Sequence, residues 1–267
     1  MKKIFSLLCV LLCLTGCAGN TPPQETTTPT DPLHKTVYVH ASITQEFGAS
    51  VSKTEFLFDD KDHVKEVVVY TNGTESKRHS VECDENGNYV RWVSEDSVME
   101  YDYDELGHSL GMSMYIGGAL VSSTQYTWEN GLRTSVTTTM NTQNMTQKTV
   151  MTYNGAGHLL RQDSYLGDTL HSYSIYATDA QGRTLSITAY QPDGELLYQQ
   201  NSVWNGNTQT TTTTQDGSVV QTSIMAYDDN GNLLTHTVYN ADNELVSKET
   251  HTWKALQVDL DSPRASV

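Results

Sequence analysis

The sequence predicts an all-β protein: a repetitive meander of antiparallel β-hairpins that forms a curved open sheet. Three observations predict this fold: a repeat of about 25 residues, two turn signals in each repeat, and a composition typical of strands. The chain of 267 residues contains 36 Thr and 15 Tyr, with 18 Gly and only 6 Pro. Because β-branched and aromatic residues are enriched in strands, this composition disfavours a helical bundle.

The repeat is defined by an aromatic anchor position that keeps a constant distance to a later Gly, Leu and Tyr. In one clear copy these four residues are Tyr103, Gly107, Leu110 and Tyr115. Copies with the same spacing begin at Tyr153, Thr178 and Tyr227, and weaker units begin at Phe58, Cys83, Trp128, Trp204 and Trp253. Self-similarity at a fixed period indicates a repeat architecture.

Two turn signals punctuate each repeat. The anchor is followed by a turn rich in Asp, Asn and Gly, such as 228–231, and about a dozen residues later comes a second signal, such as Asn72-Gly73. Gly and Asn suit both places because they adopt positive φ at little cost. The strands that fit between these turns number about sixteen.

The first seventeen residues indicate an address in the cell envelope. Lys2 and Lys3 precede an apolar run over 4–14 that has the length of a signal-peptide core and is too short to span a membrane. The run ends in Leu14-Thr15-Gly16-Cys17, which resembles the lipobox of bacterial lipoproteins. The resemblance implies that residues 1–16 are removed and that Cys17 carries the lipid, as a palmitoylated lipoprotein would. The alternative is an ordinary secretory signal with Cys17 as a bystander.

Residues 17–36 are rich in Thr and Pro, and we expect them to form a lipidated tether. The repeat domain then covers 37–257, and 258–267 form a C-terminal tail. The net charge of −16 disfavours nucleic acid as a partner, because such partners require clustered Lys and Arg. An acidic domain is also repelled by anionic lipid, so the acyl chains at Cys17 would hold the protein to the membrane.

The anchor segments resemble the YD repeat of Rhs-type proteins, whose unit begins Tyr-Asp-x-x-Gly followed by an aliphatic residue. The segment 227–233 matches best, 103–107 matches well, 153–159 has Asn for Asp, and 179–183 lacks the Tyr. Trp128 and Trp204 begin shortened turns that depart from the pattern. The resemblance spans roughly 54–254. In large members the repeats form a shell around a C-terminal toxin, whereas about fourteen residues follow Trp253 here, so we expect no toxin domain and no closed shell.

Few residues suggest chemistry. The Asp-rich turn at 59–62 could bind Ca²⁺, but Asp is an ordinary turn residue, so no metal site is expected. The nine His residues lack zinc-ligand spacing, and no hydrolase motif or phosphate-binding loop occurs. We therefore expect no cofactor and no enzyme activity. Cys83 occupies an anchor position, which favours packing over reactivity.

The aromatic residues allow two interpretations, a core or a ligand platform. We expect Tyr103, Tyr153 and Tyr227 to pack against leucines that follow at a fixed distance, namely Leu110, Leu160 and Leu234. The less regular Trp92 and Tyr198 are the better candidates for ligand contact.

The function that these observations favour is a non-enzymatic, membrane-anchored lipoprotein of the cell surface or envelope. Its repeats would form a scaffold for protein or glycan contact. The alternatives are a structural spacer without a dedicated ligand and, less favoured, a cryptic hydrolase. The sequence assigns no ligand-binding residue.

Overall fold

The computed structural model describes residues 34–259, which contain eighteen strands and no helix. The signal peptide, Cys17 and almost all of the expected tether lie outside these residues. Within 34–259 there is no helix long and apolar enough to cross a membrane. The strands are β1 His34–Phe47, β2 Ser50–Phe58, β3 Val64–Thr71, β4 Thr74–Cys83, β5 Tyr89–Val93, β6 Ser97–Tyr103, β7 Ser109–Ile116, β8 Ala119–Glu129, β9 Leu132–Met140, β10 Met145–Tyr153, β11 Leu159–Leu166, β12 Thr169–Thr178, β13 Thr184–Tyr190, β14 Leu196–Asn205, β15 Thr208–Gln215, β16 Ser218–Tyr227, β17 Leu233–Asn240 and β18 Leu245–Asp259.

The strands form one antiparallel meander that closes on itself. Each strand pairs with the next along the chain, and β1 pairs with both β2 and β18. We call the β1–β18 pairing the seam; its register runs from His34 opposite Asp259 to Phe47 opposite Ser247. The all-β antiparallel prediction is confirmed, whereas the prediction of an open sheet is wrong. Closure pairs the two strands that would otherwise expose edge N–H and C=O groups.

Anchor turns lie at one end of the strands, which we call the anchor rim. In the turn at 228–232, Asp228 Oδ1 accepts the backbone N–H groups of Asn230 and Asn232 at 2.9 and 2.8 Å. Gly231 completes the turn at φ 83°, where a side chain would be strained. The same pair of hydrogen bonds recurs at Asp59, Asp84, Asp104, Asn154 and Asp179. The Asp or Asn of each repeat is therefore a turn-forming residue.

Alternating side chains divide the sheet into two faces. Most of the buried residues share one face, which we call the inner face. They include an apolar cluster of Val64, Val67 and Val81, together with buried polar residues such as Thr124 and Thr211. The polar residues hydrogen-bond along the face: Thr124 lies 3.1 Å from Thr138, hydroxyl to hydroxyl. The inner face thus has a localised apolar core and a polar continuation, while Val68, Leu256 and Val258 are buried on the other face.

The anchors hold neighbouring strands together through side chain to backbone hydrogen bonds. The indole N–H groups of Trp128, Trp204 and Trp253 donate to the carbonyl oxygens of Ser109, Thr184 and Leu233 at 2.8, 3.3 and 2.8 Å. Tyr153 Oη donates to the Arg133 carbonyl at 2.7 Å. Each acceptor lies at the start of the preceding strand, so these four anchors join their own strands to their neighbours at the anchor rim.

The leucines predicted to pack against the anchors do not do so. Leu110, Leu160 and Leu234 are 43%, 41% and 38% exposed. Each is the extra residue at a register shift, because the residues on either side of it pair with two consecutive residues of the neighbouring strand. A β-bulge leaves its extra residue without a ladder partner and turns it away from the regular faces. The constant spacing therefore marks a bulge that recurs in every clear repeat, and the packing prediction is wrong.

Candidate functional site

The residues singled out for metal binding have structural roles in the described part of the chain. Asp59 Oδ1 accepts the N–H groups of Lys61 and His63 at 2.9 and 2.8 Å, so its oxygen is already used by the turn. Asp62 forms an ion pair with Lys254 Nζ at 2.5 Å. No group of three or more His, Cys, Asp or Glu within 34–259 is arranged to hold a metal ion.

Cys83 and Trp92 both pack against the apolar cluster. Cys83 Sγ lies 3.4 Å from the Val64 carbonyl, and its half-buried side chain contacts the buried valines. The Trp92 ring contacts the same cluster and meets Tyr89 edge to face, with 5.6 Å between centroids. Trp92 therefore belongs to the core and is a poor candidate for ligand contact. Tyr198 lies on the inner face opposite Ala189, half-buried.

A second tyrosine position of the repeat faces outward. These tyrosines lie at register shifts near the rim opposite the anchors, and each pairs with a residue of the outer face, such as Lys53 or Lys148. We call them the tyrosine row: Tyr70, Tyr115, Tyr165, Tyr190 and Tyr239. All five lie on odd-numbered strands, because one repeat spans two strands, and β5, β9 and β15 contribute no tyrosine to the row.

The tyrosine row is densest across β11, β12 and β13. There Tyr173 lies on the intervening strand, directly opposite Tyr190, and the two rings stack with centroids 5.1 Å apart at an angle of 23°. The Arg161 guanidinium carbon lies 4.3 Å from the Tyr173 ring centroid. This is a cation–π contact, which we group with the stacked rings as the tyrosine patch.

A carboxylate holds the arginine of the tyrosine patch in place. Arg161 Nε donates to Asp163 Oδ1 at 2.9 Å, and this hydrogen bond raises the pKa of Arg161 above its usual range. The patch thus combines flat aromatic surface with fixed donors and acceptors at its edge. Ile175, opposite Arg161, extends the apolar surface and is 46% exposed.

A similar combination occurs on β5–β7. A shallow depression of about 220 Å³ on the outer face is lined by Arg91, Val98, Glu100 and Tyr115. Arg91 Nε lies 3.7 Å from Glu100 Oε1. Here too a tyrosine of the row lies beside an arginine and a carboxylate. Polar side chains around an aromatic ring are the arrangement that orients a polar ligand on an apolar surface.

The sequence indicates part of the tyrosine row and none of the stacking in the tyrosine patch. Tyr115, Tyr165 and Tyr190 follow their anchors at a constant distance, but spacing alone does not tell the inner from the outer face. Tyr173 falls outside the repeat pattern, and only the pairing of β12 with β13 brings it to Tyr190.

Comparison with known proteins gives no family for this chain. No protein-family model matches it, and no curated protein matches it. Matches to solved structures are weak. A TcdB2-TccC3 structure is 10% identical with a TM-score of 0.38; the match covers 80% of this chain, which spans only 16% of that one.

Two further solved structures are porin-like proteins. The one from Bacteroides vulgatus is 8% identical with a TM-score of 0.38, and the match covers 80% of this chain and 98% of that chain. The one from Bacteroides uniformis is 10% identical with a TM-score of 0.31, covering 85% and 100%. With TM-scores this low, these likenesses support no inference about what the chain binds or does.

Proposed function

We propose that this protein is a non-enzymatic lipoprotein of the cell envelope, in which YD-like repeats form a rigid scaffold that presents the tyrosine row for glycan or protein contact. The observation that carries the proposal is the tyrosine patch, where Tyr173 and Tyr190 stack on the outer face beneath Arg161. The membrane anchor rests on the lipobox at 14–17.

The assignment to the YD-repeat type is part of this proposal. It is supported by the turn geometry, because the Asp of Tyr227-Asp228 caps the turn with its side chain and Gly231 adopts positive φ. These are the roles that a Tyr-Asp-x-x-Gly unit requires of its second and fifth residues.

The tyrosine patch has the chemistry that a sugar needs. A sugar ring presents C–H groups on one face and hydroxyls around its edge. Tyrosine rings supply flat amphipathic area with only two rotatable side-chain torsions, so little entropy is lost on binding. Arg161 and Asp163 supply donors and acceptors for the hydroxyl edge. The excess of 32 acidic over 16 basic residues favours neutral glycans over acidic ones.

Replacing Tyr173 and Tyr190 together with Ala tests the contact surface. We expect binding of the full chain to a glycan array to fall at least about fivefold, taking about 0.5–1.5 kcal/mol for each of the two stacked rings. Val203→Ala is the matched control, because Val203 is a 68% exposed apolar side chain of the outer face outside the row.

The array result separates the functional alternatives. If the wild type binds no glycan but captures an envelope protein through the same two tyrosines, the contact is with protein. If neither is bound, the protein is a spacer without a dedicated ligand. Hydrolysis of a bound glycan would favour the hydrolase alternative.

The anchor is tested separately by Cys17→Ala. We expect this variant to lose incorporation of labelled palmitate and to leave the membrane fraction, because only the thiol can carry the thioether-linked lipid. A variant that still partitions with membranes and still incorporates palmitate would contradict the lipoprotein assignment. The contact surface does not depend on this result, because the glycan array tests it separately.

A further inference from the structure

Three imidazoles and one carboxylate meet on the inner face at the seam. His40 comes from β1, His251 and Glu249 from β18, and His236 from β17, directly opposite Glu249. We call these four residues the seam cluster. They come from the two ends of the described chain, with 211 positions separating His40 from His251.

Contacts of the seam cluster join β1 to β18 at more than one point. His40 Nε2 lies 3.1 Å from His251 Nδ1, within hydrogen-bond distance. His251 Nε2 lies 2.7 Å from Glu249 Oε1, an ion-pair contact that is not aligned as a hydrogen bond. The other Glu249 oxygen accepts the side-chain N–H of Gln45 on β1 at 3.0 Å. The Trp253 ring covers His40, with 3.8 Å between centroids.

The histidine pair has a protonation requirement. A hydrogen bond between two imidazole nitrogens needs a proton on one and a lone pair on the other. One additional proton can be shared by the pair, but two leave N–H groups facing each other without an acceptor. Two positive charges then lie within 3.1 Å in a half-buried site, which repels β1 from β18.

Little surrounding charge can offset this repulsion. Within 35–258, the other inner-face residues of β16, β17, β18, β1 and β2 are neutral; they include Met225, Tyr38 and Thr54. Lys53 and Glu55 on β2 lie on the outer face and pair with each other. Glu249 can therefore balance one imidazolium, but not three.

The surroundings already disfavour protonation. The pKa of His40 is lowered to about 4, chiefly by burial and also by the neighbouring His251, with Glu249 partly opposing both effects. Burial also lowers the pKa of His236. Glu249 raises this pKa and His251 lowers it, but burial has the largest effect. The contact with His251 and the Gln45 hydrogen bond lower the pKa of Glu249 despite burial, so this carboxyl is charged at neutral pH.

The seam differs from every other strand pair of the described chain. All the others join strands that are consecutive in sequence and linked by a short turn, whereas β1 and β18 are held only by their ladder and their side chains. The seam can therefore separate without breaking any other ladder. Local opening of this kind is the way in which proteins expose one unit at less than the global cost.

We propose that the seam cluster is an acid-sensitive latch, which keeps the sheet closed at neutral pH and loosens the β1–β18 seam when its histidines take up protons. The latch is independent of the tyrosine row, which lies on the other face.

The size of the effect follows from the linkage between protonation and opening. An open seam would return His40 to its ordinary pKa of 6.5, so the open state binds the proton more tightly than the closed one. Stability of the seam is therefore complete above about pH 6.5 and is lost as the pH falls towards 4. From pH 7.5 to 5, one such group increases the opening constant about thirtyfold, which partial exposure of the ring reduces to about tenfold.

Hydrogen exchange with mass spectrometry measures this opening in the full chain. After correction for intrinsic exchange, we expect peptides from β1 and β18 to exchange about tenfold faster at pH 5 than at pH 7.5. Peptides from β14 and β15 should not change, because no His lies on these strands or on the strands that flank them. Equal acceleration in all strands, or none at the seam, would overturn the proposal.

Variants assign the effect to the cluster. His40→Phe combined with His251→Phe keeps two aromatic rings and removes two of the three imidazoles, including the pair that faces itself across the seam, so the seam should lose most of its pH response. His79→Phe is the control, since His79 on β4 is also a half-buried histidine of the inner face and contacts the Trp92 ring on β5, away from the seam. If the double variant does not fold, His40→Phe alone replaces it and should weaken the response, because it removes the group whose lowered pKa makes opening favourable in acid. A seam response identical to wild type in the variant that folds refutes the latch.

Discussion

Removing the turn-forming carboxylate of one repeat has a cost that can be worked out from its hydrogen bonds. Asp228 Oδ1 accepts two backbone N–H groups at 2.9 and 2.8 Å, and Oδ2 accepts Asn232 Nδ2 at 2.8 Å. Each bond contributes about 0.5–1.5 kcal/mol, and water replaces part of what is lost at this rim. We therefore expect Asp228→Ala to lower the free energy of unfolding by about 1–2 kcal/mol.

Asp228→Asn is the matched control because it keeps Oδ1 as an acceptor. Asn154 and Asn240 hold the same two hydrogen bonds in their own turns. We expect this variant to lose less than about 0.5 kcal/mol at pH 7. Urea unfolding of the full chain gives both values from the midpoints, provided that the denaturant slope is unchanged. Equal midpoints for wild type and Asp228→Ala, or an equal loss in both variants, would refute the turn-forming role.

The same pair of variants has a pH signature. Burial alone would raise the pKa of Asp228, but hydrogen bonds from Asn232 and Asn230 outweigh it and lower the pKa. A carboxyl with a lowered folded pKa contributes stability above its ordinary pKa and loses it as the pH falls through the folded pKa. The stability difference between wild type and Asp228→Asn should therefore shrink below about pH 4, and a constant difference would argue against the lowered pKa.

Two further predictions concern packing. Tyr227→Ala should lower the free energy of unfolding in urea by about 2–3 kcal/mol, because the half-buried ring stacks on Trp204 with 5.7 Å between centroids. Leu234→Ala, at the exposed bulge, should lower it by less than about 0.5 kcal/mol. A larger loss for Leu234→Ala than for Tyr227→Ala would show that the leucine packs in the core. Gly111→Ala should lower the thermal midpoint by an amount equivalent to about 1–3 kcal/mol, because the new Cβ would lie 2.8 Å from the Thr124 carbonyl oxygen, and an unchanged midpoint would show that β7 and β8 can separate there.

Local residue choice determined the repeat. In the clear repeats, the Asp or Asn after the anchor and the Gly three positions later specify a turn through bonds that close within five residues, so no distant partner is needed. The strands between the turns follow from alternation and turn spacing in the same way. This is why the all-β antiparallel meander could be predicted, and why the anchors at Trp128 and Trp204 were found even though their turns depart from the pattern.

Three features depended on the tertiary structure alone: the closure of the sheet, the face on which each residue lies, and the assembly of the tyrosine patch and the seam cluster. Closure depends on twist summed over eighteen strands and on the pairing of His34 with Asp259, which no local pattern encodes. Because a shift of one residue reverses the faces of a strand, the bulges at Leu110 and its equivalents turned predicted core residues outward. The meetings of Tyr173 with Tyr190 and of His40 with His251 likewise arise from strand pairing, since the residues that meet belong to different strands and share no motif.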